Sequence, residues 1–410
     1  MKSDWHLVKL SDVIEFNPSL KLSKGQEAVK ISMDCIQPYT KHINSICIEK
    51  YNGGMKFENG DTVMARITPC LENGKTAYID VLPEGEVGFG STEFVVWRAK
   101  EGITDSQFVY YLAISPEIRE IAIKSMVGSS GRQRVQQSVI ENCSILLPPI
   151  DEQIAIGRYL AMLDDKIEAN KKINDNLAEQ VRALCNAWLI EYLPFGGSCP
   201  SDWVLTSLSS IASFIGGYSY KGNELQASSI AMATIKNFNR RGGFKLDGFK
   251  EITPSNKLKP EHHACLFDTL VAHTDLTQNA EVIGNAEPLL STGGYGDIVF
   301  SMDVVKVIPA SINISQFLIA AILQTRRFKE HCLGYINGTT VLHLSKKALP
   351  DYCIMLPQDL STLSPLETAL SAIYRQMAMR IEENRRLEQI RDSLLPRLMS
   401  GEIDVSSIVI

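Results

Sequence analysis

The sequence has no CxxC pair, no apolar run long enough for a membrane and no phosphate-cradling glycine loop. Its nine cysteines are an odd number, scattered from Cys35 to Cys353, which fits neither a disulfide framework nor a zinc finger. The longest apolar candidate, Phe317 to Leu323, falls far short of the ~18 residues a membrane span needs. The start MKSDWHLVKL has no signal-peptide core, so a cytoplasmic location with no membrane partner is expected. Histidine is scarce, at seven residues; His262, His263 and Cys265 form half of a metal site with no second pair nearby, and no metal is expected.

The signatures of catalysis are missing as well. There is no Walker pattern, and Val87-Gly88-Phe89-Gly90 and Thr292-Gly293-Gly294-Tyr295-Gly296 have neither the spacing nor the following helix of a nucleotide or S-adenosylmethionine fold. No GxSxG elbow occurs, and Asn17-Pro18-Ser19 departs at its third position from the Asn-Pro-Pro-aromatic loop of methyltransferases. No catalytic residue and no bound cofactor is expected on this chain.

The 410 residues are 45% apolar and 21% charged, a composition of well-packed domains, and the length suggests two or three of them. Net charge is −6, which argues at first against nucleic acid. Residues 196–357, however, carry 14 basic against 13 acidic side chains, and a near-neutral domain can still present one basic face.

An internal repeat organises the chain. Asp4-Trp5-His6-Leu7-Val8 returns as Asp202-Trp203-Val204-Leu205-Thr206, Asp61-Thr62-Val63-Met64-Ala65 as Asp268-Thr269-Leu270-Val271-Ala272, Ser106-Gln107-Phe108 as Ser315-Gln316-Phe317, and Gly128-Ser129-Ser130 as Gly338-Thr339-Thr340. The offset drifts only from 198 to 210, as expected of two diverged copies.

Residues 152–193 and 366–395 predict two long helices, free of internal proline and of glycine after Gly157. Ile156, Leu160, Leu163, Ile167, Asn170, Asn174, Leu177, Val181, Leu184 and Trp188 follow a heptad seam, and Leu366, Leu370, Ile373, Met377, Arg380, Asn384, Leu387, Arg391, Leu394 and Leu398 repeat it with more polar interruptions. Ser364-Pro365-Leu366-Glu367 reads as a capping box. Asn170 falls opposite Asn384 in the repeat: either each faces solvent at the seam's edge, or the helices run antiparallel about a pseudo-two-fold axis and the two amides meet, fixing register.

Between the helices, strand-like runs at 62–67, 76–81, 94–98, 269–272 and 304–308 are separated by Asn-Gly and Gly-Gly turns, with one amphipathic helix per copy near 105–125 and 314–331. The predicted fold is α+β: two similar α/β domains, residues 1–150 and 196–357, separated by two long antiparallel coiled-coil helices in residues 151–195 and 358–410. Two heads on two rods suit a long ligand with two separated sites.

Two stretches resemble a known family. Leu146-Leu147-Pro148-Pro149-Ile150-Asp151-Glu152-Gln153-Ile154-Ala155, with Leu163 to Asn170, is similar to the central conserved region of type I restriction-modification specificity subunits. Arg391 to Ile403, containing Leu394-Leu395-Pro396-Arg397-Leu398-Met399-Ser400-Gly401-Glu402-Ile403, is similar to their C-terminal conserved region. Leu356-Pro357-Gln358-Asp359 departs from the Pro-Pro and Glu-Gln of the first copy. The resemblance implies a non-catalytic subunit with two target-recognition domains, each reading one half of a bipartite site in double-stranded DNA. It further implies conserved helices that set the spacer and dock two methyltransferase (modification) subunits. S-adenosylmethionine belongs to those partners, and a restriction/translocase subunit completes the complex. A subunit of another modification or defence assembly, type II-like, and a coiled-coil adaptor that binds protein are the alternatives.

For DNA contact, Arg66, Thr68, Asn73 and Lys75 bring cations, a hydroxyl and an amide to one turn, which can pair phosphates and read a base edge; an ordinary solvated hairpin is the alternative. Gly128 to Arg134 adds Ser129, Ser130, Arg132 and Arg134 on flexible backbone. By repeat position, His273 and Thr277, in the loop that runs to Gln278 and Asn279, correspond to the first group, and Thr339 and Thr340 to the second. Leu342-His343-Leu344 aligns with Arg132-Gln133-Arg134, so the two halves are expected to read different bases. Tyr218, Lys221, Arg240 and Arg241 complete the candidates.

Overall fold

In the computed structural model, which describes residues 4–277 and 279–405, the strand Thr62–Ala65 is buried on both faces. Its side chains alternate between two cores, Val63 joining Val96, Phe94 and Ala77 on one side, and Met64 joining Val95, Trp97 and Tyr78 on the other. A period of two with both faces covered makes a central strand. The sheet runs in the order Ile14–Phe16, Phe94–Ala99, Thr62–Ala65, Thr76–Tyr78, and one face meets a second four-stranded sheet that includes the parallel pair Glu27–Ile31 and Gly88–Gly90. The other face carries the helices Ser106–Ile114 and Pro116–Lys124.

Two units result, one of Met1–Ala169 with Arg386–Ile410 and one of Asn170–Arg385. In the second, the order Ala212–Gly216, Val304–Pro309, Thr269–Ala272, Ala286–Pro288 follows the same connections. Alternation recurs there, Leu270 and Ala272 facing one core and Val271 the other. The parallel pair returns as Ile230–Ala233 with Asp297–Phe300.

The expected amphipathic helix is in each case two short helices. In the first unit Ser115 caps the second helix, accepting from the Ile118 N–H, and Pro116 takes its first position, where a missing N–H removes no bond. In the second, Thr325 does the same for Arg326–Leu333 by accepting from Phe328 N–H.

The long helices are Ile150–Leu189, α1, and Ser364–Met399, α2. α1 ends four residues before the expected 193, because Tyr192 turns into the left-handed region at φ 53°. α2 runs through Pro396 to Met399. Ser364 is already helical, entered from a 3₁₀ turn over Leu360–Leu363, so it is not the cap its sequence suggested. Glu367 instead accepts from the backbone N–H of Ser315 at 3.0 Å. Each unit takes part of both helices into its core: Ile156, Leu160, Leu395 and Leu398 in the first, and Val181, Cys185, Leu366, Leu370 and Tyr374 in the second.

Polar residues interrupt the seam where partners await them. In the first unit Arg391 Nη1 donates to Asp164 Oδ1 at 2.6 Å, while Tyr111 OH donates to Asp164 Oδ2 at 2.7 Å. In the second, Asn170 Nδ2 donates to Asn384 Oδ1 and to Glu383 Oε2, both at 2.8 Å, and Asn174 Nδ2 donates to the Met377 carbonyl at 3.2 Å. Partner numbers on α2 fall as those on α1 rise.

Candidate nucleic-acid interface

In the first unit the two loops singled out by sequence are knitted together. Ile67 and Val127 both bridge to Arg134, and Val135 N–H donates to the Arg66 carbonyl at 2.8 Å. Thr68 is buried, and its hydroxyl accepts from Gln133 N–H at 2.9 Å while lying 3.3 Å from the Gln133 carbonyl. That hydroxyl is a clasp between the loops and is occupied. Lys75 Nζ is likewise engaged, donating to the Met33 carbonyl at 2.8 Å.

Asn73 stands exposed at the hairpin tip. Behind it, Gly74 at φ +74° packs against the ring of Tyr39, and a Cβ there would lie 2.6 Å from a ring carbon, so only glycine fits. The Arg119 guanidinium sits 5.1 Å from the centre of that ring and donates to the Leu71 and Glu72 carbonyls. Tyr39 and Arg119, which no sequence pattern singled out, fix this hairpin. The contacts reach 33 and 48 residues along the chain, and no local pattern announces them.

The second loop protrudes. Ser129, Ser130 and Arg132 are exposed, and the Arg132 guanidinium has no hydrogen-bond or ion-pair partner among the described residues. Arg134 differs, because Nε and Nη2 grip the Glu93 carboxylate at 2.7–3.0 Å. This ion pair holds the Glu93 carboxyl below its ordinary range. Arg66 adds a weaker pull on the same carboxylate, and its own Nε is buried without a partner among the described residues. Glu93 is a further residue that sequence reasoning missed, since it lies 41 positions from Arg134.

In the second unit the ladder is regular: Leu342–Leu344 is flanked by Thr274–Asp275 and Ile336–Asn337. Here His343 pairs with Thr274 and Asn337, as Arg134 pairs with Ile67 and Val127. The counterpart of Arg134 is therefore His343, not the Leu344 of the sequence alignment, because the intervening hairpin is one residue shorter. Thr339 and Thr340 are exposed at its tip. Thr277 donates its hydroxyl to Asp275 Oδ1 at 2.8 Å. Burial pushes the Asp275 carboxyl up, but the N–H groups of Val282 and Thr277 prevail and hold it low. Gln278 lies outside the described residues. His273 is driven down to about 4, chiefly by burial, so it is neutral at pH 7 and brings no charge.

The remaining candidates divide. Arg240 joins this loop through an ion pair with Glu281 at 3.1 Å; Arg241 and Lys221 are exposed. Tyr218 is core: it is 1% exposed and its hydroxyl binds Glu224 and Ser255, which removes it from the surface set. His262, His263 and Cys265 make no metal cluster among the described residues, His263 instead contacting Asp297 at 2.9 Å. No helix among the described residues is long and apolar enough to cross a membrane.

Residues 2–179 match the family model described as type I restriction modification DNA specificity domain. Within those residues the chain resembles the specificity subunits of type I restriction-modification enzymes. Over 99% of its length it is 23% identical to the MjaVIII specificity subunit of Methanocaldococcus jannaschii, covering 94% of that protein. The EcoEI specificity subunit of Escherichia coli is 31% identical over 172 residues, 40% of this chain but only 29% of that longer protein. A crystal structure of a type I restriction-modification S subunit from M. genitalium shares the fold, with a TM-score of 0.53 at 16% identity and 97% coverage of both chains.

Proposed function

We propose that this chain is a specificity subunit that selects DNA for enzymes that act beside it and performs no reaction itself. In this reading residues 1–150 and 196–357 are duplicated target-recognition domains, each reading one half of a bipartite duplex site. Residues 151–195 and 358–410 form an antiparallel coiled coil about a pseudo-two-fold axis, which sets the gap between half-sites and docks two modification subunits. Those subunits hold S-adenosylmethionine and methylate adenine, and a restriction/translocase subunit cleaves. Half-sites approached from one side of B-DNA lie about a helical turn apart or a multiple of it, within reach of a 40-residue helix at ~1.5 Å per residue.

The observation that carries this reading is the pairing common to both units, bridges to Arg134 in the first and a ladder through His343 in the second, each beside an exposed tip of glycine and small hydroxyls, Gly128-Ser129-Ser130 and Gly338-Thr339-Thr340. Backbone N–H groups and hydroxyls at such tips suit phosphate oxygens. The flanking side chains differ, Arg132 and Arg134 against Val341 and His343, which favours two different half-sites. A gel shift with random-sequence duplexes in the presence of a modification subunit tests the proposal. A retarded, sequence-selective complex supports it; absence of any complex favours a protein-binding adaptor instead.

A further inference from the structure

We infer that Arg134 reads a guanine in the major groove and that Glu93 is the residue that aims it, an inference that rests on the DNA-reading function proposed above. A guanidinium is planar and has two usable edges. Glu93 occupies one of them: Nε lies 2.9 and 3.0 Å from the two carboxylate oxygens, and Nη2 lies 2.7 Å from Oε1. The outer edge, Nη1 with the second hydrogen of Nη2, has no partner among the described residues and belongs to a side chain still 47% exposed. Two parallel donors on that edge match the O6 and N7 acceptors of guanine.

Both partners are anchored from the backbone. Arg134 and Val127 exchange N–H···O bonds of 2.9 and 3.0 Å, while the Glu93 carbonyl accepts from Arg66 N–H at 2.9 Å and the Glu93 N–H donates to Ser91 Oγ at 3.1 Å. A held guanidinium loses little freedom on binding. The pair is also close to neutral, and a phosphate approaching Arg134 would meet the Glu93 carboxylate, so the arrangement suits a base edge better than the backbone. Arg132, exposed and without such a partner, suits phosphate.

The second unit lacks the device. His273 N–H donates to the Asp303 carbonyl at 2.8 Å as Arg66 donates to Glu93, which makes Asp303 the counterpart of Glu93. At the position of Arg134 stands His343, with Nδ1 3.4 Å from Thr274 Oγ1. An imidazole cannot offer two parallel donors, so the guanine read in this way belongs to the half-site of the first unit alone.

The test is selection from a random duplex library by the full chain together with its modification subunit, comparing wild type with R134K, E93Q and R132A. Expected is a wild-type motif with a fixed guanine whose preference falls about tenfold in both R134K and E93Q, all other positions keeping theirs. R132A should lower retention for every sequence and leave the preferences unchanged. A guanine preference that survives in R134K or in E93Q, or a loss spread evenly over all positions, overturns the inference. Wild type retaining duplexes without any preference overturns the DNA-reading function and this inference with it. A measurement independent of variant folding uses the wild-type complex on the selected duplex. Replacing that guanine by 7-deazaguanine, which lacks the N7 acceptor, should weaken binding about tenfold; unchanged binding at every guanine of the half-site contradicts it.

Discussion

Asn170 and Asn384 meet inside the second unit, Nδ2 of the first donating to Oδ1 of the second at 2.8 Å, with 1% and 9% of their surfaces exposed. A buried amide pair in a largely apolar stretch of seam lowers stability and penalises other alignments of the two helices. Asn170→Leu alone withdraws a hydrogen bond from both Asn384 and Glu383 and should cost about 1–2 kcal/mol. The double substitution Asn170→Leu with Asn384→Leu should cost less than the single or raise stability. Urea denaturation of the full chain and both variants measures this, and additive losses would contradict it.

The first unit holds its share of the helices with charge. Asp164, 4% exposed, accepts from both Arg391 and Tyr111. Asp164→Ala takes the buried acceptor from both Arg391 and Tyr111 and leaves the guanidinium paired with the exposed Asp392 at 2.8 Å, and should destabilise by about 2–3 kcal/mol. A loss under 1 kcal/mol by denaturant titration would show that water reaches the pair.

Much of this was legible beforehand, and the limits have physical causes. Heptad spacing located both long helices, because a buried stripe must recur at the helical period whatever it touches. It also marked Asn170 and Arg391 as breaks in that stripe. The partner of Arg391 lies 227 residues away, and spacing within one helix carries no information about it. The repeat placed the two loop pairs correctly, since insertions fall in turns, but a single-residue shift in a hairpin put Leu344 where His343 belongs. Tyr218, a candidate for DNA contact by sequence, is core, and its hydroxyl finds Glu224 and Ser255. Composition also hid charge state: burial leaves His273 uncharged, and Glu93 offsets Arg134.

Glu287 predicts an inverted pH dependence for the second unit. It is buried, accepts from Gly243 N–H at 2.6 Å and Gln324 Nε2 at 2.8 Å, and is raised to about 7, chiefly by burial. An acid whose folded pKa exceeds its unfolded value of ~4.3 holds its proton longer when folded, so its contribution is lost as pH rises from about 4 to 7. Glu287→Gln, like the protonated acid, is uncharged and keeps one of the two acceptor oxygens, and should stabilise the chain at pH 8, by about 2–3 kcal/mol at most, while changing little at pH 4. Melting curves across that window decide; an equal shift at both ends would place the effect elsewhere.

Arg132 and Arg134 should separate in their response to salt. Removing a phosphate contact reduces the slope of log affinity against log salt by about one. Arg132→Ala should do so, whereas Arg134→Lys should leave the slope near that of wild type. Equal slopes for wild type and Arg132→Ala would remove Arg132 from the phosphate contacts.

In the function proposed above, two units of one chain choose a DNA address in two parts. Sequencing methylated adenines in a cell carrying this gene beside its modification subunit, against the same cell with the gene deleted, tests it directly. Expected is a gene-dependent motif of two short unlike blocks separated by a constant number of unconstrained base pairs. One unbroken motif, or a methylation pattern indifferent to the deletion, would contradict it.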